Sequence, residues 1–276
     1  MKRIITLILA MMMGVACLGF TACGSDEIIV QTNAFFAPFE YYDGTEIKGV
    51  DVDIMNMVGK KLGKKVKFVN VEFAGIIDNV AAGKVCDAGA AGITVTAKRA
   101  AKVDFSKKYY KSVQYVIYKK SDAASLTISK NVDDENVIFW KDLAGKKLGV
   151  QLDTTGHIYA GIEINGDGPD YPGELAGTGA TITPYDTAQL ASDAMGVGHV
   201  DVVIVDELPA QYIVGKNSNL ACVPLYYTAD TATEEEYAIC VTKGNTKLLN
   251  AINEVLDELG TDGVLELVKV HMGITD

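Results

Sequence analysis

The chain is poor in the residues that enzyme and metal sites most often use. Three histidines, His157, His199 and His271, are spread through 276 residues, and no Ser/His/Asp arrangement or metal-like spacing gathers around any of them. Cysteine is equally sparse. Past an N-terminal stretch only Cys23, Cys86, Cys222 and Cys240 remain, at spacings unlike those of a zinc site. The last three are expected as small buried apolar side chains, with a Cys222–Cys240 disulfide as the alternative. No block of Lys or Arg occurs and the formal net charge is −11, which excludes a surface built for nucleic acid or anionic lipid. Beyond Cys23 no apolar run is long enough to cross a membrane. No metal and no cofactor are expected.

What is present begins with a leader. Lys2 and Arg3 precede an apolar run from Ile4 to Val15, followed by small residues and Cys23. That is the pattern of a secretory signal segment, too short and wrongly flanked for a spanning helix. Phe20-Thr21-Ala22-Cys23 resembles a bacterial lipobox, in which the cysteine becomes the lipid-modified first residue, although Leu is usual three places before it. An ordinary signal peptide is the alternative. Removal of residues 1–22 from the 276 leaves 254, and loses Lys2 and Arg3 but no acid, taking the charge from −11 to −13. The expected product is a soluble body, large enough for one core or two, tethered outside the cytoplasmic membrane.

From Glu27 onward short β-rich runs alternate with helical stretches, the signature of an α/β sheet protein. EIIVQTN, VKFVNV, CDAGAAGI, KKLGVQL, TITPY and VDVVIVD read as strands. The intervening helices include one with Ile54, Met55, Val58 and Leu62 on one face, and a short AKRAAKV helix that Thr96 would cap. Two segments echo one another: residues 81–93 and 195–207 each end a helix in Gly, step to an Asp and enter an apolar strand. The echo suggests two lobes of similar build, and a chance likeness of two α/β turns is the alternative. At the C-terminus, Ala251, Val255, Leu256 and Leu259 mark one helix and Val264, Leu265, Leu267 and Val268 a second. The Gly-rich stretch EINGDGPDYPGELAGTGA reads as an inserted, mobile surface loop.

Five segments, APFEYYDGTEIKGVDVDIMNMV, GITVTAKRAAKVDFSKKYY, DLAGKKLGVQLDTTG, VDVVIVDELPAQYIV and DELGTDGVLELV, occur in an order that resembles the solute-binding proteins of polar amino-acid ABC transporters. The resemblance covers residues 27–273. It implies an α/β, two-lobed periplasmic-binding-protein-like fold of type II, each lobe an open sheet flanked by helices, with a free L-amino acid between them. It places two hinge strands near Tyr109–Val113 and Glu234–Tyr237. The chain would then divide into a leader at 1–22, lobe 1 at 23–110 and 237–276, and lobe 2 at 111–236. Permease subunits, the membrane through a lipid on Cys23, and a monomeric state follow as expectations.

A zwitterion leaving water needs a cationic or dipolar partner for its carboxylate and an acceptor for its ammonium; either left unpaired costs several kcal/mol. Arg99 suits the carboxylate, because a guanidinium offers two parallel hydrogen bonds. The resemblance gives Gly92 and Thr94 contacts to the ligand's α-groups, and Thr154 and Thr155 an anion site at a helix start. It gives Asp206 the ammonium, with a helix N-cap as the alternative role, and Asp201 a structural turn. Phe36 and Phe73 would sandwich the ligand side chain, while Phe35 and Phe39 are expected in the core. Asn33 stands where relatives selecting cationic side chains carry an acid, and Gln151 adds a second amide, so a neutral or weakly polar ligand such as glutamine is expected, with a larger apolar amino acid as the alternative. Asp153 replaces a usual glycine, and its side chain could point away or meet an ammonium.

Two other functions fit the same fold. A cyclohexadienyl dehydratase-like enzyme would need a general acid, for which His157 is the one histidine near the presumed cleft. An amino-acid-sensing receptor for a signalling partner is the second.

Overall fold

Two aspartates play the same part in the two halves of the chain. Asp87 Oδ2 accepts from the Ile29 amide at 2.8 Å while the Asp87 amide donates to Ile29 O at 2.8 Å; Asp201 and Lys147 form the same pair of bonds, again at 2.8 and 2.8 Å. Each sits one residue before a parallel ladder, Val30 beside Ala88 in one lobe and Leu148 beside Val202 in the other. The sequence echo is therefore a repeated structural unit, in which a carboxylate satisfies the amide at the mouth of a neighbouring strand.

The computed structural model describes residues 26–274; the leader, the lipobox and Cys23 lie outside the described residues. One sheet runs Lys65–Asn70, Glu27–Thr32, Ala88–Gly89, Cys240–Val241, Asp104–Phe105, so the last strand segments of the chain return to complete it. The other is centred on Thr181–Tyr185, Lys147–Gln151, Val202–Asp206, Tyr110–Lys119 and Leu220–Thr228. The first half of Tyr110–Lys119 pairs antiparallel with Glu234–Tyr237, in register Tyr110 with Tyr237 and Val113 with Glu234. These two strands run side by side from one sheet to the other. A small antiparallel sheet, Phe35–Phe36, Glu40–Asp43 and Glu46–Lys48, covers one end of the first.

The helices follow the apolar spacing. Val50–Leu62 buries Ile54, Met55 and Val58, carries Lys60 and Lys61 in its last turn, and stops at Gly63 in the left-handed region. It packs on the C-terminal helix Thr246–Met272, which Gly260 breaks into two pieces. Ala251, Val255, Leu256, Val264 and Val268 are buried there, but Leu265 faces solvent. The Gly-rich segment is a surface crossing, yet it is pinned: Tyr171 Oη and the Glu174 amide both donate to Glu163 Oε2, at 2.7 and 2.9 Å, and Leu175 is buried. Cys86, Cys222 and Cys240 are free thiols, so no Cys222–Cys240 disulfide forms; Cys222 lies on the second sheet and Cys240 on the first.

Candidate functional site

Strands of both sheets end at the cleft between the lobes, where α/β sheets characteristically place ligands. Asn33 follows Glu27–Thr32, Gly92 and Thr94 follow Ala88–Gly89, and Gln151 and Asp206 are the last residues of their strands. All ten residues selected from the sequence line a single narrow cavity, together with Glu40. The lobes are closed over it. Gln151 Nε2 donates to Asn33 Oδ1 at 2.9 Å and Arg99 Nη2 donates to Asp153 O at 2.8 Å, both across the cleft.

Arg99 reaches the cavity because Thr96 starts its helix: Thr96 Oγ1 accepts from the Arg99 amide at 3.2 Å, as a cap does. The guanidinium is held by two carbonyls, Thr94 O at 2.9 Å and Asp153 O, and lies 5.3 Å from the centre of the Phe73 ring. Among the described residues no carboxylate pairs with it, and burial pushes its pKa below the ordinary value while Glu235 and Asp206 oppose that shift. A buried cation without an anion is an arrangement that a bound carboxylate would complete.

Asp153 sits in a backbone conformation that suits glycine. Its φ is 60°, a left-handed conformation that glycine adopts freely and Asp tolerates. Its side chain is exposed, and its carbonyl is the atom that meets Arg99. Its amide donates to His157 Nδ1 at 3.2 Å, so the local turn carries His157 along its outer side rather than into the cavity. Thr154 caps the following helix, Thr155–Asn165, and with Thr155 brings the start of that helix to the cavity wall.

Asp206 occupies the N-cap position of Glu207–Lys216, but its side chain makes no cap bond. It accepts instead from Gln114 Nε2 at 2.5 Å and from Tyr237 Oη. Burial raises its pKa, and those two donors and Arg99 hold it down. Phe36 packs against Phe39 and Tyr237. A Cβ on Gly92, whose φ is +53°, would stand 2.7 Å from the Phe36 ring, so glycine lets that ring close over the backbone. Phe39 is in the core as expected, whereas Phe35 is half exposed and meets Tyr42 edge-on at the surface, because the two residues of its short strand point to opposite sides.

Four buried acids were not singled out by the sequence. Glu40 lines the cavity and its carboxyl shares a hydrogen bond with that of Asp51; burial and then Asp51 raise its pKa. Asp51 accepts from the Gly92 amide at 2.9 Å and from Tyr109 Oη at 2.5 Å, and burial pushes it up to about 6. Glu235, on the crossing strand, accepts from Thr94, Thr155 and Gln114. Burial and then Asp206 push it up to about 8. Glu163 anchors the Gly-rich crossing, away from the cavity. The one available signal for Glu235 was parity: Glu235 and Tyr237 are buried while Glu234 is exposed and Glu236 pairs with Lys108.

Residues 28–271 match the bacterial extracellular solute-binding proteins, family 3. The arginine-binding extracellular protein ArtP of Bacillus subtilis (strain 168) is 28% identical over 280 residues, 98% of this chain and 97% of its own. Among solved structures, the arginine-bound form of a truncated ArgBP from T. maritima superposes with a TM-score of 0.69 at 29% identity, covering 85% of this chain and 97% of that one. An ancestral arginine-binding protein bound to glutamine gives 0.72 at 30% identity, covering 91% and 99%. Two lobes, a cleft between strand ends and a family match spanning nearly every described residue lead to one assignment: the chain belongs to the bacterial extracellular solute-binding proteins, family 3.

Proposed function

We propose that this protein is the substrate-binding component of an ABC importer and that it closes around one free L-amino acid, without chemical turnover, before delivering it to the permease subunits. The reading rests on one observation: an unpaired buried guanidinium, Arg99, and a buried carboxyl, Asp206, line the same closed cavity. That is the complement of a zwitterion. Arg99 and the first amides of Thr155–Asn165 take the α-carboxylate; Asp206, Thr94 and the backbone at Gly92 take the α-ammonium; Phe36 and Phe73 flank the side chain. In this reading the chain divides at 23–110, 111–236 and 237–276, a leader is removed before Cys23, and a lipid on Cys23 tethers the domain outside the cell membrane.

The side-chain end is lined by Asn33 and Gln151. Their mutual hydrogen bond leaves Gln151 Oε1 buried without a donor, an acceptor that a ligand amide N–H would satisfy. A neutral, hydrogen-bonding side chain such as that of glutamine fits best. Glu40, a buried carboxyl in the same cavity, favours a second reading, a cationic side chain as in arginine. Calorimetric titration with each of the twenty standard amino acids decides between them. Saturable 1:1 heat from glutamine and none from arginine supports the first, the reverse supports the second, and silence from all twenty removes both.

A further inference from the structure

Thr94 and Thr155 face one another from opposite lobes, their hydroxyl oxygens 3.5 Å apart, and both line the cavity. Behind them stands Glu235, on the strand Glu234–Tyr237 that crosses between the lobes. Its Oε2 accepts from Thr94 Oγ1 at 2.6 Å and from Thr155 Oγ1 at 2.7 Å; its Oε1 accepts from Gln114 Nε2 at 2.7 Å. A hydroxyl has one proton. Donated to Glu235, it leaves only lone pairs to face the cavity, so both threonines can accept from a ligand but cannot donate to one.

We propose that Glu235 is a positioning residue for the bound amino acid: as a carboxylate it turns both threonine hydroxyls into acceptors for the ligand's ammonium, and binding is thereby linked to its ionisation. The inference rests on the amino-acid reading of the cavity given above. Because the threonines belong to different lobes, both are oriented only when the lobes are closed. The hinge therefore carries part of the ligand selectivity, in addition to permitting the motion.

The surroundings make Glu235 responsive to charge. Asp206, bridged to it by the two N–H groups of Gln114 Nε2, faces it from the second sheet. Arg99 faces it from the first lobe, Tyr159 from the helix Thr155–Asn165, Tyr227 from the strand Leu220–Thr228, and Tyr237 from its own strand. Only Arg99 among these is a cation. Burial and then Asp206 favour the protonated acid in the ligand-free closed cavity, raising its pKa above that of an ordinary glutamate. A protonated Glu235 donates to one of its neighbours and needs one fewer threonine proton. An ammonium arriving beside Asp206 reverses the balance: the Glu235 proton leaves to solvent and both hydroxyls turn inward.

The test is calorimetry of the whole protein with each of the twenty standard amino acids, L-glutamine and L-arginine first, at pH 6, 7 and 8 in buffers of differing ionisation heat. Wild type should release a proton on binding at pH 6 and 7 and bind several-fold tighter at pH 8 than at pH 6. Glu235→Gln, isosteric and checked by its melting curve, should release less and show a flatter pH profile. An unchanged profile in Glu235→Gln, or no proton release by wild type between pH 6 and 8, overturns the inference while leaving the amino-acid reading in place. No heat from any amino acid with wild type overturns the reading itself.

Discussion

Gln151 and Asn33 hydrogen-bond directly across the closed cleft, Gln151 Nε2 to Asn33 Oδ1 at 2.9 Å, while Asn33 Nδ2 donates to Val71 O at 2.8 Å. The Val71 bond fixes the orientation of the Asn33 amide, so its oxygen points to the opposite lobe. A carboxylate at position 33 would keep that oxygen but lose the donor to Val71 and add a charge. Asn33→Asp is therefore expected to shift preference toward lysine and arginine over glutamine by about tenfold or more, measured as the ratio of Kd values. An unchanged ratio would show that position 33 does not face the ligand side chain.

Arg99→Lys keeps the charge but not the fork that meets Thr94 O and Asp153 O. Ligand affinity should drop by at least about 30-fold, the low end for losing a buried charge-assisted pair. The measurement is the ligand-induced rise in melting temperature, which vanishes when binding does. A full-size shift in the variant would take Arg99 out of the site.

Asp153→Gly should be nearly silent. The backbone is already left-handed at φ 60°, the side chain is exposed, and the useful atom is the carbonyl. Relief of the left-handed strain and the greater freedom of the unfolded glycine oppose each other, each about 1 kcal/mol. Binding should change less than threefold; a large loss would place the carboxylate in ligand recognition.

Glu40→Gln tests the buried acid pair. The folded-state pKa of Glu40 lies above its ordinary value of 4.5, so the folded protein holds more protons than the unfolded chain above that pH. Stability contributed by this group is complete below about pH 4.5 and is lost as pH rises toward the folded pKa. The amide does not titrate and can donate to Asp51. The stability of the variant relative to wild type should therefore grow between pH 5 and pH 8 in ligand-free denaturant titrations. A difference that shrinks with pH would refute the assignment.

Much of the fold was legible because its determinants are local. Thr96, Thr154 and Thr187 each accept from the amide three residues on, and a cap depends on nothing beyond its own turn. The Asp87 and Asp201 echo was visible because both carboxylates sit at a fixed offset from a strand. Phe35 is exposed against expectation for the complementary reason. Apolar spacing says which residues share a face of a regular element, and a two-residue strand is too short to show which of Phe35 and Phe36 turns inward.

The sequence by itself determined which elements form, the α/β alternation of the two lobes, and the family pattern that marks Arg99, Asp206 and the paired threonines. Tertiary structure decided what those residues face. Glu40, Asp51, Glu235 and Gln114 converge from separate strands and a helix on one buried cluster, and in Glu234-Glu235-Glu236 strand parity alone sets the inward glutamate apart, without saying what it meets. Burial and the fields of distant chain segments set the protonation of these acids, and both arise only in the folded chain.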